Sequence, residues 1–304
     1  MKGKIGLEEH FAIDDTLNDS KGFFPDNIWI EVRERILDLH GRRLRLMDEF
    51  GMQMMILSLN APAIQAIPDA KKANEIARKA NDYLAEQVKK RPDRFQALAA
   101  LPLQDPDMAA KELQRCVKDL GMVGALANGF SQIGDPNTIA YLDEKQYWPF
   151  WNVCDELGVP FYLHPRNPLP QDSRIYKGAE WLLGPIWAFG HETAVHALRL
   201  MGSGLFDKHP KLQIVLGHMG EGLPFSMWRV DNANAWIPNR NHYPAKKKIG
   251  EYFQNNFHTQ ALLNAMMVMS SDRIMFSTDW PFENIDHAAL WFDAAPISEA
   301  DREK

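Results

Sequence analysis

A (β/α)8 barrel of the TIM type is the α/β fold the sequence predicts, and three observations carry that expectation. Apolar runs of strand length alternate with helical patterns along the chain, as in successive βαβ units. The runs are nearly continuous, which is how parallel strands covered on both faces read. Several end in histidine, asparagine or a carboxylate, and a barrel builds its site at those strand ends. At 304 residues, 45% of them hydrophobic, the chain is long enough for one large domain or two smaller ones. The unbroken alternation favours one, spanning residues 1–304.

The first run, Lys4 to His10, reads as a strand on which Glu8 and His10 point the same way, because side chains alternate faces. A carboxylate and an imidazole side by side are half of a metal site, although such a pair alone is more often a surface salt bridge. Phe11 to Asp26 is a polar loop with Gly22-Phe23-Phe24-Pro25 at its heart, suited to covering a site. Helical spacing from Ile28 to Phe50 breaks around Gly41 and ends at Gly51. Met52 to Leu59 is a strand interrupted only by Gln53 and Ser58, and Asp69 caps a helix from Ala70 to Lys90. Phe95 to Leu101 is the next strand. Asp105-Pro106 opens a helix that closes at Gly121, before the strand Met122 to Asn128. Glu144 to Leu157 is a helix, Val159 to His164 a strand, and Arg166 to Pro185 a loop too long to be mere connection. A helix from His191 to Leu205 and a strand from Leu212 to His218 follow. Glu221 to Trp236 and Lys246 to Asn256 read as helices, and Ile274 to Ser277 is a last strand, ending in Thr278-Asp279-Trp280-Pro281.

These are seven strands, one short of a closed barrel. The shortfall lies after His258, where one helix runs almost directly into another, so a strand segment is expected to be absent there. A C-terminal helix is expected to be absent as well, since the chain stops at Lys304 before one has room to pack over the strand carrying Asp279.

The net charge of −6 and pI near 5.9, with acids and bases mixed throughout, leave no basic stripe for nucleic acid. The start has no signal-peptide pattern and no apolar run reaches membrane length, so a cytoplasmic protein is expected. Cys116 and Cys154 fall in helical patterns as small hydrophobes, with neither a disulfide nor a catalytic thiol expected. A Gly-rich phosphate loop and a Gly-x-Ser-x-Gly elbow are both lacking. His40, His191, His196, His209, His242, His258 and His287 read as capping or surface residues.

What remains is a set of polar residues at strand ends: Glu8, His10, Asn128, His164, His218 and Asp279. Two histidines and two carboxylates around an open coordination position suit a divalent ion such as Mn²⁺ or Zn²⁺ used as a Lewis acid. Composition does not choose between the two metals.

Leu7-Glu8-Glu9-His10, Leu57-Ser58-Leu59-Asn60-Ala61-Pro62, Gly124-Ala125-Leu126-Ala127-Asn128-Gly129-Phe130, Tyr162-Leu163-His164-Pro165-Arg166-Asn167-Pro168, Leu216-Gly217-His218-Met219-Gly220-Glu221 and Phe276-Ser277-Thr278-Asp279-Trp280-Pro281-Phe282-Glu283 resemble the amidohydrolase-superfamily aromatic acid decarboxylases, in the family's order and with near-family spacing. The resemblance implies a homotetramer of barrels, each holding one Mn²⁺ or Zn²⁺ through Glu8, His10, His164 and Asp279. Decarboxylases of 2,3-dihydroxybenzoate and salicylate tend to lack the histidine matching His10. Its presence favours the branch that converts 2,6-dihydroxybenzoate reversibly to resorcinol and CO₂.

Direct loss of CO₂ would leave an aryl anion, whereas protonating the ring carbon first lets CO₂ loss restore aromaticity. A hydroxyl ortho to that carbon supplies the electron density. The resemblance gives Asp279 the role of the acid, its pKa raised by an apolar surround to which Trp280 and Phe282 contribute. His218 and Glu221 then orient Asp279 and pass its proton. Phe23, as a ring-facing wall, and Asn128, as a polar anchor, are either substrate contacts or packing residues, Phe282 is a further contact, and Arg229 either turns positive charge toward the site or pairs with Asp231. Two rivals stand beside this reading. One is a metal-dependent hydrolase of the lactonase type, with Asp279 as base; the other is an inactive scaffold paralogue, supported only by the missing strand.

Overall fold

Apolar runs that must bury both faces find one solution, a curled parallel sheet with side chains inside it and helices outside. The computed structural model describes residues 2–218, 220–236, 243–259 and 263–304. Met219, His242 and Gln260 lie outside the described residues. The strands are β1 (Lys4–Phe11), β2 (Met52–Leu59), β3 (Phe95–Ala100), β4 (Gly124–Asn128), β5 (Ser131–Gln132), β6 (Ile139–Ala140), β7 (Phe161–His164), β8 (Ile214–Leu216) and β9 (Phe257–His258). Seven of them form one sheet in the order β1-β2-β3-β4-β7-β8-β9, every pairing parallel. β5 and β6 pair antiparallel in a small ribbon of their own.

Helices α1 (Asp26–Leu37) and α2 (Arg42–Glu49) are the two halves of the pattern broken at Gly41. α3 (Ala70–Lys90) starts where Asp69 accepts a hydrogen bond from Lys72 N at 2.7 Å, and α4 (Pro106–Lys118) where Asp105 accepts from Asp107 N and Met108 N. Each such cap contributes about 1 kcal/mol. α5 (Trp148–Leu157), α6 (Ala188–Gly202), the short α7 (Leu205–Lys208), α8 (Leu223–Trp236), α9 (Ile249–Asn256), α10 (Leu263–Met269), α11 (Ile285–Ala294) and α12 (Glu299–Glu303) complete the order. The long segment before α6 is wound into three 3₁₀ turns, Pro170–Tyr176, Glu180–Leu182 and Gly184–Ile186.

Between sheet and helices lies the main core, with Ala97, Ala99, Phe161, Leu163, Ile214 and Leu216 among its strand residues. Their neighbours on the opposite strand face, Leu98, Leu126, Tyr162 and Val215, fill the barrel interior with Leu7, Ile56 and Met275. This double burial is why the strands read as continuous apolar runs.

The eighth side of the barrel is cut short. Before the point after His258 where a strand segment is expected to be absent stands only the two-residue β9, aligned on β8 through Ile214–Phe257 and Val215–His258. Thr259 continues it with one isolated bridge to Ile274, Thr259 N donating to Arg273 O and Met275 N to Thr259 O, both at 3.0 Å. Leu7 N donates to Phe276 O at 3.3 Å, so Ile274–Phe276 lies between β9 and β1. The expected last strand is in place, but joined by single bonds instead of a regular ladder. A helix also follows it. α11 packs Ile285 and Ala289 inward, and Phe292 meets Phe276 with ring centroids 4.9 Å apart, correcting the expectation that no C-terminal helix is present.

Candidate active site

β1 ends with Glu8 and His10 on its inner face, β7 ends with His164, and the turn after Ser277 brings in Asp279. Glu8, His10 and His164 are buried, and one ligand atom from each lies within 4.8 Å of the others. His164 Nε2 is 3.2 Å from Glu8 Oε1, and His10 Nε2 is 3.6 Å from Asp279 Oδ1. His218 Nε2 also reaches Glu8 Oε1, at 3.6 Å, while its Nδ1 is 3.1 Å from Glu221 Oε1. His218, Glu221 and Asp279 all have positive φ, at 50°, 53° and 55°. Strained backbone of this kind persists where surrounding contacts impose it.

Burial shapes the protonation of these groups, and their mutual charges decide the direction. Burial opposes ionisation of Glu8, but the imidazoles of His218, His164 and His10 outweigh it and hold the carboxyl well below the usual range. Burial, reinforced by His164, keeps His10 neutral with a pKa of about 3, the form in which an imidazole binds a cation. Burial works against protonation of His218, yet the Glu8 and Glu221 carboxylates hold it well above its ordinary value. Asp279 is pushed well up by burial and then by the charge of Glu8. A divalent cation among these side chains would oppose that last shift, while the burial of Asp279 continues to favour its protonated form.

The donor set fits such a cation. His10 Nε2 is buried with no hydrogen-bond partner among the described residues, while Nδ1 of the same ring meets Ser58 Oγ at 3.2 Å. An imidazole held through one nitrogen and free at the other is how a metal-ligating histidine is built.

The expected substrate contacts fall in different places. Phe282 faces His10, with ring centroids 5.4 Å apart, and stacks on Phe24 at 5.9 Å. Trp280 is turned away, buried beneath the guanidinium groups of Arg35 and Arg42, so the apolar surround comes from Phe282 and not from Trp280. Phe23 packs edge-on against Phe189 and lines a cavity of about 600 Å³ with Ala61, Pro62, Arg166 and Tyr176. Asn128 is buried, its Nδ2 donating to Asn60 O and Pro62 O, which leaves Oδ1 as the free acceptor among the described residues. Arg229 is exposed on α8 and makes no ion pair among the described residues; Asp231 accepts from Gly250 N instead.

Sequence reasoning missed three contributors. Ser58 was visible as one of two polar interruptions in an apolar run. Tyr162, in the barrel interior, hydrogen-bonds Glu8 from below. Gly217 leaves room for both, since a Cβ there would stand 2.8 Å from Tyr162 Oη and 3.1 Å from each Glu8 carboxylate oxygen. Neither had a signal in the pattern.

Comparison with known proteins gives this geometry a context. The amidohydrolase family profile matches residues 10–304. The γ-resorcylate decarboxylase of Polaromonas sp. strain JS666 is 64% identical over 312 positions, covering 100% of this chain and 96% of that protein. That of Rhodococcus jostii strain RHA1 is 61% identical, covering 100% and 96%. Each alignment is longer than this chain, so the relatives carry residues inside the match that have no counterpart here. Among solved structures, the dihydroxybenzoic acid decarboxylase of Polaromonas sp. JS666, with bound manganese and the inhibitor 2-nitroresorcinol, superposes with a TM-score of 0.97 at 64% identity, over 100% of this chain and 94% of that one. The 5-carboxyvanillate decarboxylase of Novosphingobium aromaticivorans, with manganese and a nitrobenzoic acid, gives 0.88 at 31% identity, over 99% and 93%.

Proposed function

The chain belongs to the amidohydrolase family as one of its decarboxylases, and on that premise we propose that it removes CO₂ non-oxidatively from 2,6-dihydroxybenzoate (γ-resorcylate), giving resorcinol in a reversible reaction. The observation that carries this reading is the convergence of Glu8, His10 and His164, with Asp279 3.6 Å from His10, at the carboxyl end of a parallel barrel. In this reading Glu8, His10, His164 and Asp279 hold one divalent ion, Mn²⁺ in the first instance with Zn²⁺ as the alternative. Such an ion, when bound, neutralises the substrate's carboxylate and phenolic oxygens and fixes the ring.

The side chains supply the rest. Asp279 delivers a proton to the ring carbon that carries the carboxylate, and breaking the bond to CO₂ then restores aromaticity. His218, kept charged between Glu8 and Glu221, is the source from which Asp279 is reprotonated. Phe282 and Phe23 provide apolar walls for the ring, and Asn128 Oδ1 accepts from a ring hydroxyl. Arg229 is the candidate for positive charge toward the carboxylate.

The assembly proposed is a cytoplasmic homotetramer of single-barrel chains. Trp181, Trp187, Phe225, Trp228 and Trp236 are each more than 60% exposed, a number of bare aromatic side chains that a second copy of the chain would cover. No helix of the described residues is long and apolar enough to cross a membrane.

The test is CO₂ and resorcinol release from 2,6-dihydroxybenzoate beside 2,3-dihydroxybenzoate and salicylate, with the metal measured in the same sample. Asp279→Asn is expected to lower turnover at least about 10³-fold with the fold retained. Retained turnover would remove Asp279 from the acid role, and a substrate that gains water without losing CO₂ would favour a hydrolase.

A further inference from the structure

The reaction as proposed leaves one buried carboxyl beside the site unused. Glu9 lies between Glu8 and His10 in β1, on the opposite face, and is fully buried. It receives the end of the last strand. Thr278 N and Ser277 Oγ donate to its Oε1 at 2.9 and 3.2 Å, and Thr278 Oγ1 and Trp280 N donate to its Oε2 at 2.7 and 3.3 Å. These bonds bracket Asp279, whose φ of +55° lies in the left-handed region that costs a residue with a Cβ about 1 kcal/mol. His10 N completes the bracket by donating to Trp280 O at 2.6 Å. The arrangement has space reserved for it, since a Cβ on Gly6 would collide with Glu9 Oε1. Buried Arg43 ties the same place down from outside, its Nη2 donating to His10 O at 2.6 Å.

We propose that Glu9 is a positioning residue for the decarboxylation. By gripping the backbone on both sides of Asp279 it aims that carboxyl at the side chains standing on the other face of the same strand. One strand thus presents Glu8 and His10 inward and, through Glu9, sets the direction of Asp279. The inference rests on the role of Asp279 given above.

Glu9→Gln keeps the shape but converts one acceptor into a donor, and Trp280 N, which can only donate, is left without a partner. Loaded with Mn²⁺, this variant is expected to bind the ion about 10–100-fold more weakly and to show an altered Mn²⁺ EPR spectrum, with kcat lowered by a similar factor and KM nearly unchanged. Thr278→Val removes a single bond of the bracket and is expected to move the same readouts in the same direction by less; it serves as the test should Glu9→Gln not fold. If both variants fold and keep the wild-type spectrum and kcat while only thermal stability falls, Glu9 is a structural clasp and the inference fails. Asp279→Asn separates the two failures. Turnover retained there sinks the reading of Asp279 itself, whereas an inactive Asp279→Asn beside a wild-type Glu9→Gln sinks only the role of Glu9.

Discussion

Ser58 shows how much of the site is set by a single hydroxyl. Its Oγ meets His10 Nδ1 at 3.2 Å and so leaves Nε2 of that ring facing Asp279. Ser58→Ala removes this hold without disturbing the backbone, and we expect Mn²⁺ affinity to fall about 10–100-fold, read by metal titration with EPR detection. Gly217 acts by having no side chain. A methyl group there meets the Tyr162 hydroxyl and both oxygens of Glu8. Gly217→Ala is therefore expected to displace Glu8 and weaken metal binding more than Ser58→Ala does, in the same titration.

At the scale of elements, α6 is pinned to the loop before α5 by His196, whose Nε2 accepts from Leu142 N at 3.0 Å. Burial, aided by Arg199, holds this imidazole at a pKa of about 3 against 6.5 in the unfolded chain. Between those values the unfolded chain binds a proton that the folded one refuses, so stability is intact above about 6.5 and is lost as pH falls through this window. Urea unfolding at pH 7 and pH 5 should show His196→Gln losing less stability on acidification than the parent, by up to about 1.4 kcal/mol per pH unit. His196 read as a surface or capping residue from sequence because nothing in its helix marks that face as buried. The same limit applies to other elements. Met52–Leu59 and Ala70–Lys90 were legible because they are long enough to show a period or its absence. β9 and the β5/β6 ribbon are two residues each, too short to carry any pattern. α11 escaped because Leu290 and Trp291 stay exposed on a helix that buries only Ile285 and Ala289. The site residues at strand ends were legible because apolar runs pointed at them; the groups that orient them sit inside those runs and looked like core.

For the whole molecule, cation binding and assembly should both register in stability. An ion that binds only the folded chain adds about 2.7 kcal/mol at a hundred times its dissociation constant. Treatment with a chelator is expected to abolish CO₂ release and lower the melting temperature, with Mn²⁺ restoring both; an unchanged melting curve and turnover would exclude a resident ion. Trp228 is 77% exposed in the isolated chain. Trp228→Glu is expected to shift the protein to a smaller species in light scattering, because a carboxylate in an apolar contact costs several kcal/mol.

The barrel is closed by its two ends, with β1 at the start of the chain bonded to residues 276–280 near the finish. Three candidate donors lie in the first 164 residues, and the fourth, Asp279, follows 115 residues further along the chain. A polypeptide that stops before residue 276 lacks both the proposed proton donor and the segment that bonds β1, and it is expected to release no CO₂. The last side of the wall and the fourth candidate donor thus arrive in one and the same short segment.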